Sequence, residues 1–133
     1  MPTQEEQNLD ILSTLHYVMG VITFLLASIP IIHLVIGIVI IASGLHGEEQ
    51  VPQILGWIFV ILASILIVGG WIFAVLIIFA GRRLKERRSY NFCLVISFLE
   101  CLIIPLGTVL GIFTIINLTK ESVKALFEGG QVK

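Results

Sequence analysis

Long unbroken apolar stretches dominate this chain, with little alternation and little one-sided helical striping. Residues 15–45, LHYVMGVITFLLASIPIIHLVIGIVIIASGL, and residues 54–81, ILGWIFVILASILIVGGWIFAVLIIFAG, contain no Asp, Glu, Lys or Arg. About 20 apolar residues in a helix cross the hydrocarbon core of a bilayer, and both stretches exceed that. A third stretch, residues 92–118, FCLVISFLECLIIPLGTVLGIFTIINL, is interrupted by Glu100, Pro105, Gly107, Thr108 and Gly111. The polar segments between them are short: MPTQEEQNLD, HGEEQVPQ, GRRLKERRSY and a C-terminal tail.

The pattern predicts an all-α integral membrane protein organised as one transmembrane domain over residues 1–133. Two spans are expected at about 15–42 and 54–80. The third stretch reads in two ways. As one helix it is about 40 Å long, enough for a single tilted span and a three-span protein. As a hairpin it gives short helices at 89–104 and 106–119, turning at Pro105-Gly107. Proline removes a backbone donor and clashes with the preceding turn. Glycine adds freedom for a reversal, and Thr108 is placed to cap the following helix with its hydroxyl.

Charge distribution favours the hairpin. Five of the eight Lys and Arg residues, Arg82, Arg83, Lys85, Arg87 and Arg88, fall within GRRLKERRSY. Such a cluster beside a span marks the cytoplasmic side and attracts anionic lipid headgroups. The loop with Glu48 and Glu49 has no basic residue and is expected outside; His46 beside them reads as a solvated loop histidine. A single third span would put Lys120, Lys124 and Lys133 outside, whereas a hairpin returns them inside. Both termini are then cytoplasmic, and the acidic N-terminus lacks the basic start of a signal peptide. Trp57, Tyr90 and Tyr17 fall where interfacial aromatics are expected. In the tail, residues 120–128, Val123, Leu126 and Phe127 form an apolar stripe suited to the inner membrane surface.

Composition agrees. Hydrophobic residues make up 57% and charged residues 13% of the 133 residues, against roughly 45–50% and 25% in soluble domains. The formal net charge of -1 implies no strongly acidic or basic partner. Nucleic acid is not expected, because no domain organises the basic loop.

Small residues recur on the helices at packing intervals. His16, Gly20, Thr23 and Ala27 lie on the first, Gly56, Ala63, Gly70, Ala74 and Gly81 on the second, and Gly107, Gly111 and Thr114 on the last. Such faces let helices approach closely in lipid. They serve packing within the chain, or assembly with further copies or a larger membrane partner.

Glu100 is the one acidic residue inside an expected span. An intramembrane carboxyl is costly and marks a candidate site. Cys93, Ser97 and Glu100 share a face at i, i+4, i+7, directed into the bundle a turn or so below the reversal. His33, in the outer half of the bilayer, is a candidate hydrogen-bond partner; a protonated carboxyl, or a carboxylate near a shallow hairpin apex that water reaches, is the alternative. Asn117 is expected to bond to a neighbouring helix. Cys93 and Cys101 are about 12 Å apart along one helix, too far for a disulfide. The sequence shows no metal-ligand motif, no phosphate-binding loop and no nucleophile motif, so neither enzyme activity nor a cofactor is expected.

The segments HYVMG, PIIHLVIG, GWIFAVLIIFAGRRLKERRSYNFC, LECLIIPLGTVLGIFTIINL and SVKALF resemble a widespread family of small four-helix bacterial inner-membrane proteins. The resemblance covers nearly the whole chain. It implies a multi-pass protein of the bacterial inner membrane and carries no activity or catalytic residue with it. Two function classes stay open. One is a non-enzymatic membrane protein that packs or assembles through its small-residue faces. The other is a minimal oligomeric channel or transporter for protons or ions, using Glu100 and His33.

Overall fold

The computed structural model describes residues 1–43 and 53–131. The expectations for His46, Glu48, Glu49 and Lys133 lie outside the described residues. Six helices follow in order: α1 (Gln4–Ser28), α2 (Ile31–Ser43), α3 (Gln53–Lys85), α4 (Tyr90–Glu100), α5 (Leu106–Leu118) and α6 (Glu121–Gln131). No strand occurs among the described residues. Two stretches are long and apolar enough to cross a membrane: Gln4–Ser43, counting α1 and α2 together, and Gln53–Lys85.

The expected first span, 15–42, is divided. α1 stops at Ser28 and α2 resumes at Ile31, with Ile29 and Pro30 between them. Proline lacks the amide needed to continue the ladder, and its ring crowds the preceding turn. The bonds here shorten to Ile29 N–H onto the Leu26 carbonyl (3.1 Å) and Ile32 N–H onto the Ile29 carbonyl (3.2 Å). α1 also starts well before residue 15. Thr3 and Glu6 form a reciprocal cap: the Thr3 amide donates to Glu6 Oε2 (3.0 Å) and the Glu6 amide to Thr3 Oγ1 (3.4 Å), which satisfies amides that the first turn leaves free.

α3 ends in a Schellman closure. The Arg87 amide donates to the Leu84 carbonyl (3.2 Å) and the Arg88 amide to the Arg83 carbonyl (3.0 Å). Arg87 occupies the left-handed position, φ 52°, where glycine is usual. A 2.9 Å ion pair from Arg87 Nη1 to Glu6 Oε1 ties this turn to the start of α1.

The chain divides into two compact units, Ile22–Phe73 and Met1–Val21 with Ala74–Lys133. In the first of these, small residues meet directly. A methyl group on Gly70 would lie 2.5 Å from the Ala27 Cβ, and one on Gly37 would lie 2.9 Å from the Gly56 carbonyl oxygen. Phe24 stacks on Trp71 at 5.3 Å, and the Trp71 indole donates to Ser28 Oγ at 3.3 Å.

In the other unit, Gly20 sits against Ala74 and Ile78, and Gly81 against Ser13 and His16. Its apolar core joins Leu9, Leu84, Cys93, Leu118, Val123 and Phe127, with Tyr90 and Leu126 packed against them. This corrects the expectation for the tail. The stripe of α6 turns onto the protein, and Val123 and Phe127 are buried. Tyr90, expected as an interfacial aromatic, meets Phe127 edge-on at 5.8 Å. Trp57 remains exposed.

The third stretch is a hairpin of α4 and α5, but a shorter one than 89–104 and 106–119. α4 stops at Glu100, and residues 101–105 form the turn, with a cis Ile104–Pro105 peptide. Two expected roles change. Thr108 does not cap α5; its hydroxyl donates back across the turn to the Cys101 carbonyl at 2.7 Å. Gly107 is needed for space: a methyl there would collide with the Glu100 carbonyl oxygen and the Ile103 Cβ. Gly111 abuts the Ser97 carbonyl and Cys101 Sγ, both 2.5 Å from an added methyl.

Candidate functional site

α1 and α4 bring a histidine and a carboxyl together in the interior. His16 Nε2 and Glu100 Oε2 lie 3.0 Å apart, with both side chains wholly buried. Register explains the meeting. The Glu6–Arg87 pair ties the start of α1 to the turn that leads from α3 into α4, and His16 lies ten residues beyond Glu6, about 15 Å along the helix. Glu100 lies ten residues beyond Tyr90, where α4 begins, and so rises by the same amount. The sequence offers His33 as a candidate partner for Glu100; in the structure that partner is His16. His33 belongs to the other unit, where its ring stacks on Phe59 at 6.1 Å. There it lines a cavity of about 190 Å³ with Pro30, Phe59, Leu62, Ala63 and Leu66.

The backbone sets the proton inventory of the pair. His16 Nδ1 lies 2.8 Å from the Leu12 carbonyl oxygen. A carbonyl only accepts, so Nδ1 carries a hydrogen and Nε2 is left to face the carboxyl. Two arrangements satisfy the contact: a carboxylic acid donating to neutral imidazole, or imidazolium donating to carboxylate. Each carries zero net charge and one proton between the two atoms. The contact is oblique. At 3.0 Å it is close enough for an ion pair, yet Nε2, Oε1 and Oε2 have no in-line hydrogen bond among the described residues. Glu100 Oε1 thus has no partner among them at all.

Of the other buried polar groups near these helices, Thr23 Oγ1 has no partner among the described residues, while Ser13, Ser97, Thr114 and Asn117 are hydrogen-bonded. Ser13 Oγ donates to the Gly81 carbonyl at 2.7 Å, which fixes α1 against α3 one turn before His16. Ser97 Oγ donates to the Cys93 carbonyl (2.8 Å) and Thr114 Oγ1 to the Leu110 carbonyl (2.7 Å). Asn117 does not reach a neighbouring helix as expected. Its amide donates to the Phe113 carbonyl of its own helix at 2.8 Å, and its Oδ1 faces Lys120 Nζ at 3.4 Å. Cys93 and Cys101 are free thiols. No group of three or more metal-ligating side chains occurs among the described residues.

The small-residue expectations converge on helix contacts. Gly20, Gly70, Ala74, Gly107 and Gly111 all lie where another segment of the same unit approaches within methyl distance or where the residue itself is buried. In the basic segment, Arg82 pairs with Glu86 at 2.9 Å and Arg87 with Glu6 at 2.9 Å. The Arg82 hydrogen bond holds the Glu86 carboxyl below the usual carboxylate range. Sequence reasoning missed His16 as the Glu100 partner, and the signal was present: a histidine on the same face as the small residues Gly20 and Ala27 faces a helix, not lipid.

Compared with known proteins, the chain matches no family model, no curated protein and no solved structure.

Proposed function

We propose that this chain is a non-enzymatic, multi-pass integral membrane protein whose small-residue faces pack its own helices together. One observation carries the reading: large apolar side chains cover the outside of the helices. Large apolar side chains such as Leu25, Ile32, Ile54, Ile65, Val68 and Phe98 face outward, while Ser13, His16, Ser97, Glu100, Thr114 and Asn117 are buried. In water that arrangement would expose far more apolar surface than a soluble monomer carries; in lipid it places each group in its preferred medium.

The reading has two full crossings, by α1–α2 and by α3, and a short hairpin of α4 and α5 entering from the side of the arginine cluster. At 1.5 Å per residue, α4 and α5 reach only about 17 and 20 Å, against a hydrocarbon core of roughly 30 Å. The turn is apolar at its tip, with Leu102, Ile104 and Leu106 exposed, and Thr108 satisfies its Cys101 carbonyl. Both features suit a tip immersed in the outer half of the bilayer. The two long apolar crossings, the short apolar hairpin, the basic segment beside them and the sequence resemblance support the bacterial inner membrane, with both termini cytoplasmic. His16–Glu100 is then an intramembrane latch between α1 and α4. Extraction at alkaline pH tests the assignment: the protein stays with the membrane pellet, and release into the supernatant would overturn it.

A second reading, proton or cation movement, has its own observation: the buried, unpartnered Oε1 of Glu100 beside His16. Intramembrane acid–base pairs of this kind serve proton relays. Reconstitution in liposomes separates the two. Flux that exceeds empty liposomes and disappears in Glu100→Gln supports transport; absence of flux in the parent leaves the latch.

A further inference from the structure

The arginine cluster does more than bias topology. Two of its guanidinium groups are neutralised within the chain, Arg82 by Glu86 and Arg87 by Glu6. Arg83 and Arg88 have no carboxylate within 4.0 Å among the described residues. They are brought together by the Schellman closure, in which the Arg88 amide bonds the Arg83 carbonyl at 3.0 Å and turns the chain back over the end of α3. The result is a groove of about 610 Å³ lined by Phe79, Arg82, Arg83, Glu86 and Arg88. Three guanidinium groups and one carboxylate give it a charge of +2. Phe79, half exposed, lies one helical turn deeper, inside the apolar run of α3.

We propose that this groove binds the phosphate of an anionic phospholipid, with Arg83 and Arg88 holding the phosphate and Phe79 lying against the acyl chains. Charge complementarity selects the headgroup, because guanidinium forks match phosphate oxygens in paired hydrogen bonds. Depth selects a lipid over free phosphate: the cationic wall sits at the end of an apolar helix, and the aromatic wall sits below it. The proposal rests on the membrane reading, which supplies the lipid.

The test uses the full chain in mixed detergent micelles containing phosphatidylglycerol or phosphatidylcholine, with bound lipid counted by native mass spectrometry. The parent retains phosphatidylglycerol over phosphatidylcholine. Arg83→Gln with Arg88→Gln weakens that retention about 30-fold, taking about fivefold for each basic residue near an anionic headgroup. Lys85→Gln with Lys124→Gln removes the same charge from outside the groove and leaves retention within about twofold. Arg83→Lys with Arg88→Lys, which keeps the charge, gives an intermediate loss and guards against a Gln variant that fails to fold. Equal loss in the two Gln pairs, or no selectivity in the parent, overturns the proposal. Displacement of the lipid by millimolar inorganic phosphate overturns its lipid specificity. Alkaline extraction reads membrane integration separately, so a protein that stays in the pellet but shows no lipid selectivity sinks the groove alone.

Discussion

Replacing His16 by Leu should destabilise the protein more than replacing Glu100 by Leu, and replacing both should cost less than either alone. The asymmetry follows from what each substitution strands. In Glu100→Leu, the His16 ring keeps its Nδ1 bond to the Leu12 carbonyl at 2.8 Å, and only the Nε2 lone pair is orphaned. One buried unsatisfied polar atom costs about 1–3 kcal/mol. In His16→Leu, the buried carboxyl loses its 3.0 Å contact with Nε2, and the Leu12 carbonyl interaction is also lost. That substitution approaches the penalty for breaking a buried pair, about 3–5 kcal/mol. The double variant strands neither group and fills the space with leucine, so most of the loss should return. Glu100→Gln keeps a donor for Nε2 and should stay within about 1 kcal/mol of the parent. Unfolding in detergent, followed by circular dichroism across a denaturant series, measures all four. Additive single effects, or a His16→Leu protein as stable as the parent, would refute the latch.

Two adjacent glycines should respond oppositely to one methyl group. Gly69 has nothing within 4 Å of an added Cβ, whereas Gly70 would meet the Ala27 Cβ at 2.5 Å; Gly69→Ala should gain up to about 1 kcal/mol from helix propensity, and Gly70→Ala should lose about 1–3 kcal/mol by overpacking. Thermal melts in detergent decide, and matching melts would show that the face does not pack. Gly111→Ile should lower the melting temperature sharply, because a branched side chain cannot fit against the Ser97 carbonyl and Cys101. A parent-like melt there means α5 does not rest on α4 as described. In a protein whose native cysteines are changed to serine, Ile104→Cys should resist a membrane-impermeant maleimide from either side of intact vesicles. Rapid labelling from outside would place the hairpin tip in water and make α4 and α5 full spans.

Much of the architecture was legible from residue type alone. The two long apolar runs gave α1–α2 and α3, and Pro105 with Gly107 marked the hairpin. The small residues at Gly20, Gly70, Ala74 and Gly111 gave the contact faces, because close backbone approach needs small side chains wherever the partner lies. What was lost depended on height and on three-dimensional neighbours. Starting the first span at residue 15 set His16 at a membrane boundary; the Thr3–Glu6 cap starts α1 earlier. Extending α4 to Ile104 pushed Glu100 toward the outer leaflet and toward His33; α4 instead ends at Glu100. Pro30 was overlooked inside an apolar run although its chemistry breaks a helix. The α6 stripe was real, but a stripe does not say whether protein or lipid covers it, and here Leu9, Leu84 and Leu118 do.

The central claim is a membrane protein whose α4–α5 hairpin returns the chain to the side of its arginine cluster. The most direct test is a pair of reporter fusions in the bacterial inner membrane, one after Arg87 and one after Gln131, using a reporter active only in the cytoplasm and another active only in the periplasm. The account predicts a cytoplasmic signal at both positions. A cytoplasmic signal after Arg87 with a periplasmic signal after Gln131 would contradict it, since the residues after Arg87 would then cross the membrane once.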